Sequence, residues 1–110
     1  MKVLHRAKHL YTDTYFTSES IKFEFNQMYL YFLQEHRWVE CEQDTRSINF
    51  EDMLDKNGVK IFASLSEDGE GGDYYEDENG FNYIAKYQQR AFRYSHAGIE
   101  VTGIYKGDQQ

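Results

Sequence analysis

Seven carboxylates crowd residues 67–78: Glu67, Asp68, Glu70, Asp73, Glu76, Asp77 and Glu78, with no base among them and with Tyr74 and Tyr75 in their midst. Acids at this density can hold a cation or meet a basic surface. A calcium loop of the EF-hand type fails on its ends. Placing Gly80 at the sixth position puts Tyr75 at the first and Lys86 at the twelfth, where the bidentate Glu belongs. Docking fits better. Carboxylates along a loop and hairpin steer and pair with Lys and Arg on a partner, and tyrosines add large contact area at low entropic cost. Acids mixed with tyrosine also supply what a stand-in for a phosphate backbone needs.

A second segment carries the opposite chemistry. Lys86, Arg90, Phe92, Arg93 and Tyr94 interleave bases with aromatics, and on a strand Arg90, Phe92 and Tyr94 share a face. Such a surface can stack bases and hold phosphate. The competing expectation is that Phe92 enters the core while the bases pair with the acidic hairpin.

Catalytic and metal-binding signatures are absent. There is no GxSxG, P-loop, GxGxxG, CxxC or HExxH pattern. Gly69-Glu70-Gly71-Gly72 is glycine-rich, but its acid repels phosphate. His5 and His9 could chelate a metal only if residues 3–10 were helical. Cys41 lies between Glu40 and Glu42, whose charge raises its thiol pKa and opposes nucleophilic use. The expectation is no enzyme, no catalytic residue, no cofactor and no metal.

Charge placement supports the docking reading. The chain of 110 residues has 12 bases and 19 acids, a net charge of −7. Residues 1–39 carry +1, residues 40–78 carry −10 and residues 79–110 carry +2. The middle third disfavours nucleic acid and anionic membrane and favours a basic protein, although solubility alone can account for such a charge. Cys41 is the single cysteine, so no intramolecular disulfide can form, which fits a cytoplasmic setting. No apolar run approaches a membrane span, and Met1–Tyr11 lacks the apolar stretch of a signal peptide.

The elements that must position these residues read as follows. The length suits one domain covering 1–110. Residues 1–16 fit a strand or a short helix. Residues 18–37 read as a long helix, capped by Thr17 or Ser18, with Ile21, Phe25, Met28, Phe32 and His36 in one stripe. A competing alternation of Ile21, Phe23 and Phe25 with Lys22, Glu24 and Asn26 is overruled by the length of the apolar pattern. Residues 40–47 read as a polar connection or an edge strand from Trp38. A short helix is expected at 50–56, capped by Asn49 and ended by Asn57-Gly58.

Strand signals follow: 59–65, then a flexible acidic loop at 66–73, then a hairpin of 73–78 and 81–87 around Asn79-Gly80, for which a type I′ turn is expected. A second hairpin joins 89–95 to 99–106 through His96-Ala97-Gly98. The expected fold is α+β, with the helices packed on an antiparallel meander of about four strands. The expected function is that of a small acidic protein-binding module, an inhibitor of a nucleic-acid-binding protein in the manner of a DNA mimic or a phage counter-defence protein. Two alternatives stand beside it: an immunity protein neutralising a nuclease toxin, and a single-stranded RNA or DNA binder using 86–94. Homodimerisation is left open.

Overall fold

In the computed structural model, which describes residues 2–50, 53–88 and 98–107, the stretch expected to be a long helix is a three-stranded antiparallel meander. Strands β3 (Ile21–Glu24), β4 (Gln27–Phe32) and β5 (Arg37–Cys41) replace it. The register aligns Ile21, Leu30 and Val39 across the sheet, and Phe23, Met28 and Cys41 beside them. Directly opposed residues share a face, so Ile21, Met28, Leu30, Val39 and Cys41 form the inner side, while Phe23 on the same face stays exposed. Lys22, Tyr29 and Glu40 align on the outer side, next to Tyr31 and Trp38. Tyrosines and tryptophan on the outer face blur the period of two into an all-round apolar run, which then matches a helical stripe. The turns hide too. Phe25-Asn26 makes a two-residue turn with φ of 50° and 61°, the type I′ geometry, without any glycine.

The fold class is therefore corrected from α+β to nearly all β. The short helix at 50–56 is also absent from the described residues. Ser47–Phe50 is strand β6, Leu54 bridges Lys60, and the chain turns between them at Asp55 and Gly58 (Glu51 and Asp52 lie outside the described residues). Asn49 does not cap a helix. Its amide donates to the Met53 and Ile61 carbonyls, each at 2.8 Å, and so ties β6 to the following turn. The helical element that is described is one 3-10 turn, Gln43–Thr45.

Strand β1 (Val3–Lys8) organises the first half of the chain. It lies between β2 (Tyr15–Ser18) and β6, and β7 (Ala63–Ser64) adds to β6, for a sheet order of β2-β1-β6-β7. Beyond its end, His9 bridges Cys41, and Glu42 N–H donates to the Lys8 carbonyl at 3.0 Å. β1 thus joins its own sheet to the β3-β4-β5 sheet. Between the two sits a core of Ala7, Met28, Leu30, Val39 and Cys41, flanked by Phe16, Ile21 and Phe32.

The third sheet has the order β10-β8-β9, built from β8 (Asp73–Glu76), β9 (Asn82–Ile84) and β10 (Glu100–Ile104). The hairpin read around Asn79-Gly80 is present, with a longer loop than a type I′ turn. Asp77 N–H donates to the Phe81 carbonyl at 2.9 Å, and Gly80 (φ 84°) is the residue of the loop in the left-handed conformation. Strand β10 pairs with β8. Residues 89–95 of the second expected hairpin lie outside the described residues. Met53, Ile61, Ala63, Tyr75, Ala85 and Ile99 form a second core beneath this sheet.

The expected flexible loop at 66–73 is instead a close-fitting turn. A Cβ added at Gly71 (φ 85°) would lie 1.9 Å from the Thr45 carbonyl oxygen, so only glycine passes there.

Candidate functional site

The acidic stretch does not form one face. Glu67, Asp68 and Glu78 are exposed; Glu70, Glu76 and Asp77 are half-buried; Asp73 is 2% exposed. Asp73 is a structural acid. Its Oδ1 accepts from Arg6 Nη2 at 2.7 Å and its Oδ2 from the Phe62 amide at 2.8 Å, while Arg6 also donates to the Gly71 carbonyl. Burial pushes the Asp73 carboxyl above the usual carboxylate range, against the pull of Arg6 and the Phe62 amide. Tyr75 is buried in the second core and stacks on Tyr83 with ring centres 5.5 Å apart. Tyr74 keeps some exposure and packs edge-on against Tyr105. Asp77 holds its own hairpin loop, accepting from the Asn79 and Phe81 amides. Strand β8 separates the turn at 66–71 from the hairpin tip at 77–80, so the stretch splits into two groups of acids.

The first group gains partners from elsewhere in the chain. Glu70 faces Glu42, which precedes the 3-10 turn after β5, and Asp44 within that turn, as well as its neighbour Asp68. An open groove of about 650 Å³ runs past them, with Leu10, Gln27 and Gln43 among the residues completing its wall. A second cleft of about 320 Å³, lined by Lys8, Asp13, Tyr15 and Lys106, shares Glu42 and Glu70 with the first. Those two side chains form the ridge between the clefts.

The electrostatics follow from this crowding. Burial raises the Glu70 pKa, and Asp68, Glu42 and Asp44 raise it further, with Lys8 opposing. The Tyr15 phenol is likewise pushed up, by burial first and then by Glu70, with Arg6 opposing. Lys8 Nζ lies 3.1 Å from Glu42 and is the described base paired within the cluster. The Asp44 and Glu70 carboxylates accept no side-chain or backbone donor among the described residues. What the arrangement can do is attract and orient ammonium or guanidinium groups. Among the described residues, no three His, Cys, Asp or Glu side chains are placed to hold a metal ion.

Glu42, Asp44, Asp13 and Tyr15 were not singled out in the sequence. One signal was present: Glu40, Glu42 and Asp44 alternate, which on an extended chain places acids on one side. The neighbouring acids from 68 and 70 are supplied only by folding.

The remaining candidates are placed as follows. Lys86 is half-buried and bridges Ser64 in parallel, while Arg90, Phe92, Arg93 and Tyr94 lie outside the described residues. His5 and His9 sit on or beyond strand β1 rather than on a helix. His5 is buried and its pKa is lowered by burial and by Arg46; His9 Nδ1 accepts from the Tyr11 amide. His36 takes φ 51° in the β4–β5 turn. Cys41 is 2% exposed, and burial, with a smaller push from Glu40, raises its thiol to about 11 against a hydrogen bond from the Leu30 amide. No helix among the described residues is long and apolar enough to cross a membrane. No family model, curated protein or solved structure matches the chain.

Proposed function

We propose that this chain is an acidic protein-binding module that captures a partner with a basic surface, and that the groove lined by Glu42, Asp44 and Glu70, with Asp68 beside Glu70, is its docking face. The partner class is a nucleic-acid-binding protein, a nuclease included, whose phosphate-binding surface the carboxylates occupy. One observation carries this reading. Acids from two segments far apart in sequence converge on one open groove and raise the pKa of Glu70 by their proximity. Mutual repulsion of this kind costs folding stability. A cationic partner turns the same repulsion into attraction and fast association.

The reading shifts emphasis within the acidic stretch. Glu70 lines the groove and Asp68 lies beside it, with Glu67 preceding them in the same turn. Glu76, Asp77 and Glu78 form a separate acidic tip and contribute long-range steering. Asp73 and Tyr75 hold the fold.

The test is capture followed by reconstitution. The tagged chain is incubated with lysate of the source cells, and the retained protein is identified and purified. The expected partner is basic. Its affinity for the chain falls by about tenfold or more when salt is raised, and similarly in the Asp44→Lys/Asp68→Lys variant. Glu76→Lys/Glu78→Lys slows association by less. Nucleic acid competes for the partner. A groove variant that binds as well as the parent chain, or a partner that is acidic, overturns the reading.

A further inference from the structure

The hairpin between β3 and β4 carries a residue that folding does not need. Phe25 is 92% exposed and takes φ 50°, followed by Asn26 at φ 61°. This turn favours Asn-Gly. A bulky side chain in the left-handed region is strained, because its Cβ crowds the following carbonyl. Phe25 therefore adds strain and returns little apolar burial.

The tip is nevertheless held in place. Gln43 Nε2 donates to the Asn26 carbonyl at 2.6 Å, and the Arg46 guanidinium lies over the ring of Phe23, itself 54% exposed, at 5.7 Å. Gln43 and Gln27 also line the anionic groove, so the tip stands at the rim of that groove. We infer that Phe25 is the apolar anchor of the docking face, seating an apolar side chain that interrupts an arginine- or lysine-rich segment of the partner protein. This rests on the reading of the groove as the docking site.

Charge selects this occupant over the others. The groove beside the tip presents Glu42, Asp44 and Glu70, which repel an anionic lipid surface. A second copy of this chain brings a net charge of −7 against the same acids. A cationic protein segment meets both features at once: its bases enter the groove and its apolar residue covers the exposed ring. Buried aromatic anchors surrounded by weaker polar contacts are the usual energetic centre of an interface.

Two labelled arginine–glycine peptides of equal length and charge test this on the full chain by fluorescence anisotropy. One has its central glycine replaced by leucine. The chain should prefer the leucine peptide by about tenfold. Phe25→Asn, which suits the left-handed turn, should abolish that preference, bringing the leucine peptide down to the affinity of the arginine–glycine peptide. Asp44→Lys/Asp68→Lys should weaken both peptides together. Equal affinity of the parent chain for the two peptides, or a preference that survives Phe25→Asn, overturns the anchor while leaving the groove intact. Indifference of both peptides to the groove variant overturns the groove and the anchor with it. A mass of two chains in solution that reverts to one in Phe25→Asn assigns the tip to self-association and overturns the inference.

Discussion

Asp55 and Asp73 differ from Asp44 and Glu70 in what their oxygens touch. Asp55 Oδ1 accepts from the Asn57 and Val59 amides and Oδ2 from the Val101 amide, which fixes the 54–60 turn against β10. Asp73 joins Arg6 of β1 to the Phe62 amide. Every oxygen of these two has a donor. The groove acids, by contrast, gather around an open space and repel one another. Similar chemical groups thus do opposite work in two regions. One pair converts a negative charge into backbone order, and the other leaves it unspent at the surface. The lesson is that acidity in this chain cannot be read as a single property; the donors around each carboxylate decide its role.

The sharpest way to break this contrast is at Asp73. Asp73→Ala leaves Arg6 buried without its counter-charge and should cost about 3–5 kcal/mol in denaturant unfolding. The double change Arg6→Met/Asp73→Leu should recover much of that, because no lone charge remains. A loss under about 1 kcal/mol would mean that Asp73 belongs with the open acids.

Asp55 comes next. Asp55→Ala strands three amides and should cost about 2–3 kcal/mol. Burial pushes the Asp55 carboxyl up, but the Val101, Val59 and Asn57 amides and Lys56 outweigh it and hold it below its ordinary value of 3.8. A lowered acid stabilises the fold fully above that ordinary value and loses its contribution as pH falls through the folded one. Acid unfolding of the parent chain should therefore be steeper below pH 3.8 than that of Asp55→Ala.

Changes on the open side should gain stability rather than lose it. Phe25→Gly relieves the left-handed strain and should stabilise by about 1 kcal/mol in thermal or denaturant unfolding. The smallest effect belongs to Glu70→Gln. The Glu70 pKa is raised, so its charge destabilises the fold increasingly as pH climbs from its ordinary 4.5 through the folded value. At pH 7 the amide should stabilise by a few tenths of a kcal/mol after solvent screening, and the gain should vanish in acid. A loss of stability in Glu70→Gln would erase the distinction between the two kinds of acid.

How far the sequence carried the fold depended on its turns. The 73–84 hairpin was legible because Asp77, Asn79 and Gly80 mark its loop locally, even though the loop proved longer than a type I′ turn. The 21–41 meander was not. Its first turn uses Phe25-Asn26 in place of glycine, and Tyr29, Tyr31 and Trp38 make its outer face as aromatic as its inner one. The alternation of Ile21 and Phe23 with Lys22 and Glu24 was the correct signal, and the longer apolar pattern outweighed it. Of the candidate site, Glu67, Asp68 and Glu70 were legible as an acidic run, whereas Glu42, Asp44 and Tyr15 were not.

Net charge, its concentration in residues 40–78 and the Asn79-Gly80 turn follow from composition and neighbouring residues, and they needed no fold to be recognised. The fate of each acid was decided by pairings over long separations. Asp73 became structural because strand β1 delivers Arg6 from 67 residues away, and Glu70 became part of a groove because the Gly71 turn wedges against Thr45 beside Glu42 and Asp44. Coulomb and hydrogen-bond energies depend on distance in space, and distance along the chain does not supply it.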